Sequence, residues 1–276
     1  AAVTLNVVVF PAIESRSRMR LVLTIAILAT GIVSSAEETV PKGAANPQSV
    51  LREARTDFRA GRYAEALDKQ LWFHKKSLSI EPALSGVRLS FALLYWKELA
   101  EKYPPAMEKL RAVRDDAVKR VLADEDTFAS FQEMVAINRI VDAEPLTRDI
   151  FEVLSDTNPE QAKSAFGVAK PALIRGRSIR LLSQFTDADK DFKSSLNNYS
   201  RLTKHGRQAN GETRLHSHAR KRFANDVTTL VAILSIDGRN EKATEVANQA
   251  RKVLDDAEFS SDLNEALQGV LPDPWP

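Results

Sequence analysis

The chain has 276 residues, of which 43% are hydrophobic and 28% are charged. This composition is typical of a folded chain that buries a sizeable core, and it excludes an intrinsically disordered protein. Cysteine is absent, which excludes disulfides, thiolate metal ligands and cysteine nucleophiles.

The first predicted element is a targeting segment. Residues 16–36 read RSRMRLVLTIAILATGIVSSA, in which three arginines precede a mostly apolar run that ends in small residues. A basic flank, a short apolar stretch and small residues at the cleavage position are typical of a secretory signal peptide. The apolar run is shorter than the ~20 residues that a membrane-spanning helix needs. The alternative interpretation of this segment is a buried first helix.

Met19 fits a translation start, so we predict an upstream extension at 1–18 and a signal peptide at 19–36. The mature protein is then exported, either periplasmic or secreted, with no membrane span left after cleavage. Residues 1–36 contain three Arg and one Glu, and the whole chain has 39 basic and 37 acidic residues. The mature chain is therefore neutral, and its overall charge does not favour nucleic acid as a partner.

Helices are predicted for the rest of the chain. Residues 37–47 form a flexible linker, and Asn46-Pro47 has the form of a helix N-cap followed by proline at the first helical position. From there apolar residues recur every three or four positions, and no stretch alternates as a half-buried strand does. Helix boundaries are predicted at Pro82, Pro104-Pro105, Pro145 and Asn158-Pro159.

Residues 83–100 are apolar on more than one side but contain Arg88, Lys97 and Glu98. The charges argue against a membrane span, so this segment is predicted to be a central buried helix. Trp72 and Trp96 are predicted to lie in the core.

Gly61, in the stretch FRAGRYAEAL (58–67), is predicted to end one helix in a left-handed conformation, so that the next helix begins at once. Ala66 is small enough to let the two helices approach closely. A similar pattern of small and apolar residues surrounds Gly176 and Gly238. The sequence therefore predicts three helical hairpins, with turns at these glycines.

These hairpins resemble the tetratricopeptide repeat, a unit of about 34 residues with two helices. The resemblance covers 50–82, 162–190 and 224–257, although the glycines are not spaced by multiples of the repeat length. Residues 72–106 are also similar to a segment of exported bacterial proteins of this type that have no assigned activity. The predicted fold class is all-α, an antiparallel helix-hairpin array that is irregular between 83 and 157, with a generic helical bundle as the alternative. The predicted domain spans 48–271, followed by a Pro-rich tail at 272–276.

The resemblance implies that first-helix residues line a concave surface that binds a protein or peptide partner. The register of the repeat assigns this role to seven residues: Arg55 and Arg59 in the first unit, Lys163, Phe166 and Lys170 in the second, and Asn225 and Thr228 in the third.

A local basic patch is the strongest charge feature of the chain. Its members are Arg214, Arg220, Lys221 and Arg222. An acidic partner, a polyanionic polymer or the chain's own acidic run at 255–265 would each complement it.

Catalytic signatures such as a phosphate-binding loop or a nucleophile elbow are not found in the sequence. His216 and His218 are two residues apart and would diverge on a helix, so we predict no metal site. No cofactor is predicted. The favoured function is an exported, non-catalytic scaffold for a protein or peptide. The alternatives are an all-α envelope protein that cleaves or binds a polysaccharide through groove carboxylates, and a passive structural domain.

Overall fold

The computed structural model describes residues 46–205 and 214–275, and these residues fold into α-helices. The prediction of an all-α fold is confirmed, since thirteen helices and no strands are found in this part of the chain. The helices are α1 Pro47–Arg59, α2 Tyr63–Ile80, α3 Ser85–Arg88, α4 Phe91–Lys102, α5 Pro104–Leu122, α6 Thr127–Ile140, α7 Glu144–Thr157, α8 Pro159–Arg175, α9 Ile179–Phe185, α10 Ala188–His205, α11 Arg214–Ile236, α12 Asn240–Val253 and α13 Ala257–Leu267, with a short 3-10 helix at Pro82–Leu84. None of these helices has both the length and the apolar character needed to cross a bilayer.

Two helices begin as their sequences predict. The Asn46 side chain accepts hydrogen bonds from the backbone N–H groups of Gln48 and Ser49, and Pro47 is the first residue of α1. Asn158 caps α8 in the same way, again followed by proline. Such caps satisfy N–H groups that have no partner within the helix.

Four pairs of helices are joined by the same three-residue turn: α1–α2, α6–α7, α8–α9 and α11–α12. Each turn contains one residue with positive φ, and the following N–H bonds to the carbonyl five residues back, which is the Schellman closure. The positive-φ residues are Gly61 (75°), Asp142 (55°), Arg177 (49°) and Gly238 (80°). The closing bonds are Arg62 N to Asp57 O, Ala143 N to Asn138 O, Ser178 N to Leu173 O and Arg239 N to Leu234 O, at 2.8–2.9 Å. The turns predicted at Gly61 and Gly238 are confirmed.

The turn predicted at Gly176 is displaced by one residue. Gly176 has an ordinary φ of −80°, and Arg177 takes the left-handed position. The absence of a side chain at Gly176 makes room for Arg148, since a Cβ there would lie 2.2 Å from Cδ of Arg148 and would require that flexible side chain to move. Repeat positions in the second hairpin must therefore be counted from Arg177 and not from Gly176, a shift of one residue. Asp142 makes the same turn about one repeat length earlier, within the segment predicted to be irregular.

The four hairpins also bury the same positions after their turns, and of these only Thr186 lies outside the second helix, directly after the end of α9. The fifth and ninth residues after each positive-φ residue are buried: Ala66 and Gln70, Thr147 and Phe151, Leu182 and Thr186, and Ala243 and Ala247. The four hairpins therefore share a turn and a buried register, but the packing between their helices differs, since α6 packs more extensively on α5, and α7 on α8, than α6 and α7 pack on each other.

The prediction of one buried helix over 83–100 is wrong. The segment divides into the 3-10 helix, α3 and α4, with the break at residues 89–90. The Ser90 hydroxyl donates to the carbonyl of Gly86, and serine and glycine both disfavour a continuous helix. On α4, Phe91 is 59% exposed and Leu94 46% exposed. Trp72 and Trp96 lie in the core as predicted.

Successive helices pack on one another along the chain except for α9 and α10, and α2 with α4, α4 with α6, and α6 with α8 also pack together. The largest hydrophobic cluster extends from Ala117 on α5 to Leu271 beyond α13, and two smaller clusters lie towards the N-terminal side. The extension at 1–18, the signal peptide at 19–36, nearly all of the linker, and Gly206 and Gly211 lie outside the described residues.

Candidate functional site

A cavity of about 550 Å³ opens between α1 and the segment from the 3-10 helix to α4. Its lining combines three arginines with apolar residues, and none of the lining residues is acidic. We call it the arginine groove, lined by Gln48, Leu51, Arg52, Arg55, Thr56, Arg59, Leu84, Val87 and Tyr95. Two of the predicted partner-binding residues, Arg55 and Arg59, thus line one cavity.

The three arginines follow helical spacing, so they lie along one face of α1. Arg55 is held in place by an ion pair with Glu98 and by stacking over the ring of Tyr95, 4.0 Å from the ring centre. Arg52 and Arg59 are exposed, and within the described chain no carboxylate is recorded in an ion pair with either of them. The groove therefore has one fixed cation between two that remain available. Sequence analysis missed Arg52, although its spacing of three from Arg55 is a detectable signal.

A second cleft runs over α11, where the tail, described from Pro272 to Trp275 and preceded by Leu271, lies between two cavities. The larger cavity, about 640 Å³, is bounded by α11, α13 and the tail, and includes Asn225, Thr228 and Trp275. The smaller, about 390 Å³, is bounded by α6, α8, α11 and the tail, and includes Lys170, Asn225 and Trp275. We call this cleft the tail groove.

The tail is held in the groove by specific contacts. Leu271 is buried in the main core. The side-chain amide of Asn225 donates to the backbone carbonyl of Asp273 at 2.9 Å. The ring of His218 meets Trp275 edge to face, with centroids 5.3 Å apart. The extended tail therefore contacts α11 through its backbone and through an aromatic side chain.

The second-unit residues are dispersed. Lys163 is exposed and lines neither cavity of the tail groove, while Phe166 is buried against Phe151 and Phe185. The displaced turn explains this. When the repeat register is moved by one residue, the positions predicted at Phe166 and Lys170 fall on Gly167 and Pro171. Both of these line the smaller cavity, beside Lys170.

Pro171 has no N–H and cannot donate to the carbonyl of Gly167, as any other residue at its position in α8 would. On the third unit, Thr228 is 5% exposed, and its hydroxyl has no hydrogen-bond partner among the described residues. The Gly167 carbonyl on one side of the tail groove thus lacks the donor that a helix normally supplies, and the Thr228 hydroxyl on the other side lacks a hydrogen-bond partner among the described residues.

Cations predominate in the smaller cavity. Arg139, Lys170 and Arg222 line it together with a single acid, Asp226. Burial raises the pKa of the Asp226 carboxyl, although the charges of Arg222 and Lys170 act in the opposite direction. An anionic group is therefore better matched to this cavity than a cationic one.

The basic patch lies on the first half of α11, where the acidic run of the chain complements part of it. Arg220 pairs with Asp256 at 3.0 Å, and Arg222 lies 3.7 Å from Asp226 on the same helix. Lys221 lines the larger cavity opposite acidic residues of α13, and Arg214 is exposed. Intramolecular pairing thus accounts for Arg220 and Arg222.

His216 and His218 both lie on α11, where side chains two residues apart point about 200° apart around the axis. Among the described residues, no group of three or more His, Asp or Glu side chains could hold a metal ion.

Glu133 of α6 is the centre of a buried ionic cluster that sequence analysis missed. It is 3% exposed and interacts with Arg88, His74 and Arg120, the last at 2.6 Å. Burial acts to raise the pKa of Glu133, but the hydrogen bond from His74 and the charge of Arg88 outweigh it and lower the pKa to about 2. A single acid within the apolar run FASFQEMVAI (128–137) is the signal that could have located it.

His74 is also buried, and burial lowers its pKa. Its Nε2 faces the Glu133 carboxylate, while its Nδ1 has no partner among the described residues. A neutral ring that donates through Nε2 fits both observations. None of the cavities described above includes this cluster, and its two arginines both pair with Glu133, Arg120 also with the exposed Asp116. Its arrangement is that of a structural link between α2, α3, α5 and α6.

Comparisons with protein-family models, with curated proteins and with solved structures each find no match to this chain.

Proposed function

We propose that the chain is an exported scaffold of tetratricopeptide-like hairpins that binds an acidic, amphipathic segment of a protein partner and performs no catalysis. Export rests on the signal-peptide pattern of residues 19–36. The repeat arrangement is supported by the four identical turns and by the common buried register of the second helices. Arrays of such hairpins present grooves for peptides or helices.

The arginine groove is the observation that carries this proposal. Arg52, Arg55 and Arg59 supply positive charge along one edge, while Leu84 and Val87 supply an apolar floor. A segment with acidic residues on one side and apolar residues on the other would complement both features.

We infer that the exposed side chain of Phe91, which is not itself a lining residue, extends the apolar part of this surface. It lies one helical turn before Tyr95 on α4, so the two side chains share a face. A large aromatic side chain that is 59% exposed beside a cationic groove is typical of an interaction surface.

The alternative, an enzyme or binding protein acting on a polysaccharide, needs carboxylates that converge in a cleft. Acidic residues do line the larger cavity of the tail groove, but Glu258, Asp262 and Glu265 are exposed. Asp256, the fourth, already accepts from the backbone of Phe259 and pairs with Arg220. This arrangement favours the scaffold.

The test uses two labelled synthetic helical peptides with leucine along one face and either glutamate or lysine elsewhere. Fluorescence anisotropy would measure their affinity for the purified chain at low and physiological ionic strength (about 0.01 M and 0.15 M). We expect the glutamate peptide to bind and the lysine peptide not to bind. The double change Arg52→Glu with Arg59→Glu should weaken binding about tenfold or more, because it removes two attractive charge pairs and adds repulsion.

The matched control is Lys109→Glu with Arg111→Glu, which makes the same charge change on the exposed face of α5. It should alter affinity less than about twofold at physiological ionic strength. Arg55→Glu should weaken binding more than Arg220→Glu, which changes the basic patch instead. Equal effects at the groove and at the control positions would show that net charge, and not the arginine groove, determines binding.

A further inference from the structure

We propose that the tail groove is a second peptide-binding site, which the chain's own tail fills in cis, and that its external ligand is an extended segment of the same Asp-Pro-aromatic type. A partner segment would then bind only by displacing residues 272–275. This proposal depends on α11 and the tail, and it does not require that the arginine groove bind anything.

The first argument is the way in which Asn225 holds the tail. Its amide donates to the main-chain carbonyl of Asp273, while the side chain of Asp273 remains exposed. When a helix binds a segment through the main chain of that segment, segments of different sequence can bind in the same conformation. Specificity then depends on the pockets that receive the side chains. Asn225 is also one of the residues that the repeat register assigned to partner binding.

The second argument is the alternation of the tail's side chains between the two cavities. Pro272 lines the larger cavity and Pro274 the smaller, while Trp275 lines both. All three are partly buried, although they follow the last helix. Prolines favour an extended backbone before binding, so little conformational entropy is lost when such a segment docks.

The third argument is that the groove is larger than the tail that fills it and contains a buried hydroxyl that the tail does not satisfy. Cavities of about 640 Å³ and 390 Å³ remain on its two sides. The Thr228 hydroxyl, nine-tenths buried at the larger cavity, has no partner within the described residues. At the smaller cavity, Arg139 and Lys170 favour an acidic residue in the ligand.

The experiment supplies the tail in trans. A variant that ends after Leu271 keeps this buried side chain and lacks the tail's contacts with α11. The probe is a dye-labelled peptide of sequence LPDPWP, acetylated and amidated, and anisotropy measures its binding. We expect the shortened chain to bind the peptide and the intact chain to bind it at least tenfold more weakly, because the tethered tail competes at a high local concentration.

Two substitutions in the shortened chain locate the site. Asn225→Ala should weaken peptide binding about fivefold or more, since it removes the hydrogen bond to the backbone. Asn248→Ala, the same change at an exposed position of α12, should leave binding unchanged. A peptide with both prolines and the tryptophan replaced by alanine should not bind.

Should the shortened chain fail to fold, as judged by far-UV circular dichroism, the full-length variant Trp275→Ala takes its place. Loss of the contact with His218 should loosen the tail and raise the affinity for the added peptide above that of the intact chain. The proposal is overturned if removing or loosening the tail does not increase peptide binding, or if Asn225→Ala and Asn248→Ala have the same effect.

Discussion

Replacing Glu133 by glutamine should destabilise the protein strongly. Among the described residues, Glu133 is the only buried anion of its ionic cluster. The change keeps the shape of the side chain but leaves Arg88 without a countercharge, and Arg120 with only the exposed Asp116. A pKa of about 2 in the folded state, against an ordinary value of 4.5, corresponds to roughly 3 kcal/mol of stability at neutral pH. We therefore expect the free energy of unfolding to fall by about 3 kcal/mol at pH 7.

The pH dependence has a definite sign. A carboxyl whose pKa is lowered by folding stabilises the protein fully above its unfolded pKa, and the stabilisation is lost as the pH falls towards the folded pKa. For Glu133 the loss occurs between about pH 5 and pH 2, and more than half of the roughly 3 kcal/mol is gone at pH 3. The difference between the wild type and Glu133→Gln should therefore narrow as the solution is acidified.

Urea denaturation followed by far-UV circular dichroism, at pH 7 and at pH 3, measures both effects. The control is Glu108→Gln, the same chemical change at an exposed position of α5, for which we expect a change within about 0.5 kcal/mol. A loss below ~1 kcal/mol at pH 7, or a difference that stays constant with pH, would refute the assignment of Glu133 as a stabilising buried anion.

Further predictions concern the turns and the core. Gly238→Ala should lower the free energy of unfolding by about 1 kcal/mol, because alanine is strained at a φ of 80°. Arg177→Gly should raise it by up to about 1 kcal/mol, because glycine adopts a φ of 49° without strain. Urea denaturation midpoints measure both changes, and two shifts of the same sign would contradict the shared turn geometry. Phe151→Ala should cost about 3–5 kcal/mol, because the ring is fully buried and packs against other phenylalanines. Phe128→Ala, at a 41% exposed position, is its control, and equal losses in thermal melts would count against this packing.

Much of the local structure could be predicted from the sequence because its signals act over a few residues. The caps at Asn46 and Asn158, the left-handed glycines at 61 and 238 and the all-helical periodicity each depend on neighbours within one or two helical turns. The same logic failed at Arg177 and Asp142, where residues other than glycine adopt the left-handed conformation. Aspartate tolerates that conformation moderately well, but arginine gives no such signal.

The candidate sites were only partly predictable. Helical register identified Arg55, Arg59 and Asn225 as candidates, and each lines a cavity. It could not show that Phe166 lies in the core, because a displacement of one residue rotates a side chain by about 100° around the helix. It also could not bring Tyr95 beneath Arg55, since that contact joins separate helices.

By itself, the sequence determined the helical class, most helix boundaries and the turn chemistry, because these depend on backbone preferences and on the spacing of apolar residues. Only the tertiary structure decided which charges meet and which remain exposed. Glu133 is stabilised by partners from three other helices, and the tail reaches α11 through a contact between Asn225 and Asp273. Such contacts arise from the packing of whole helices, and no local pattern in the chain specifies them.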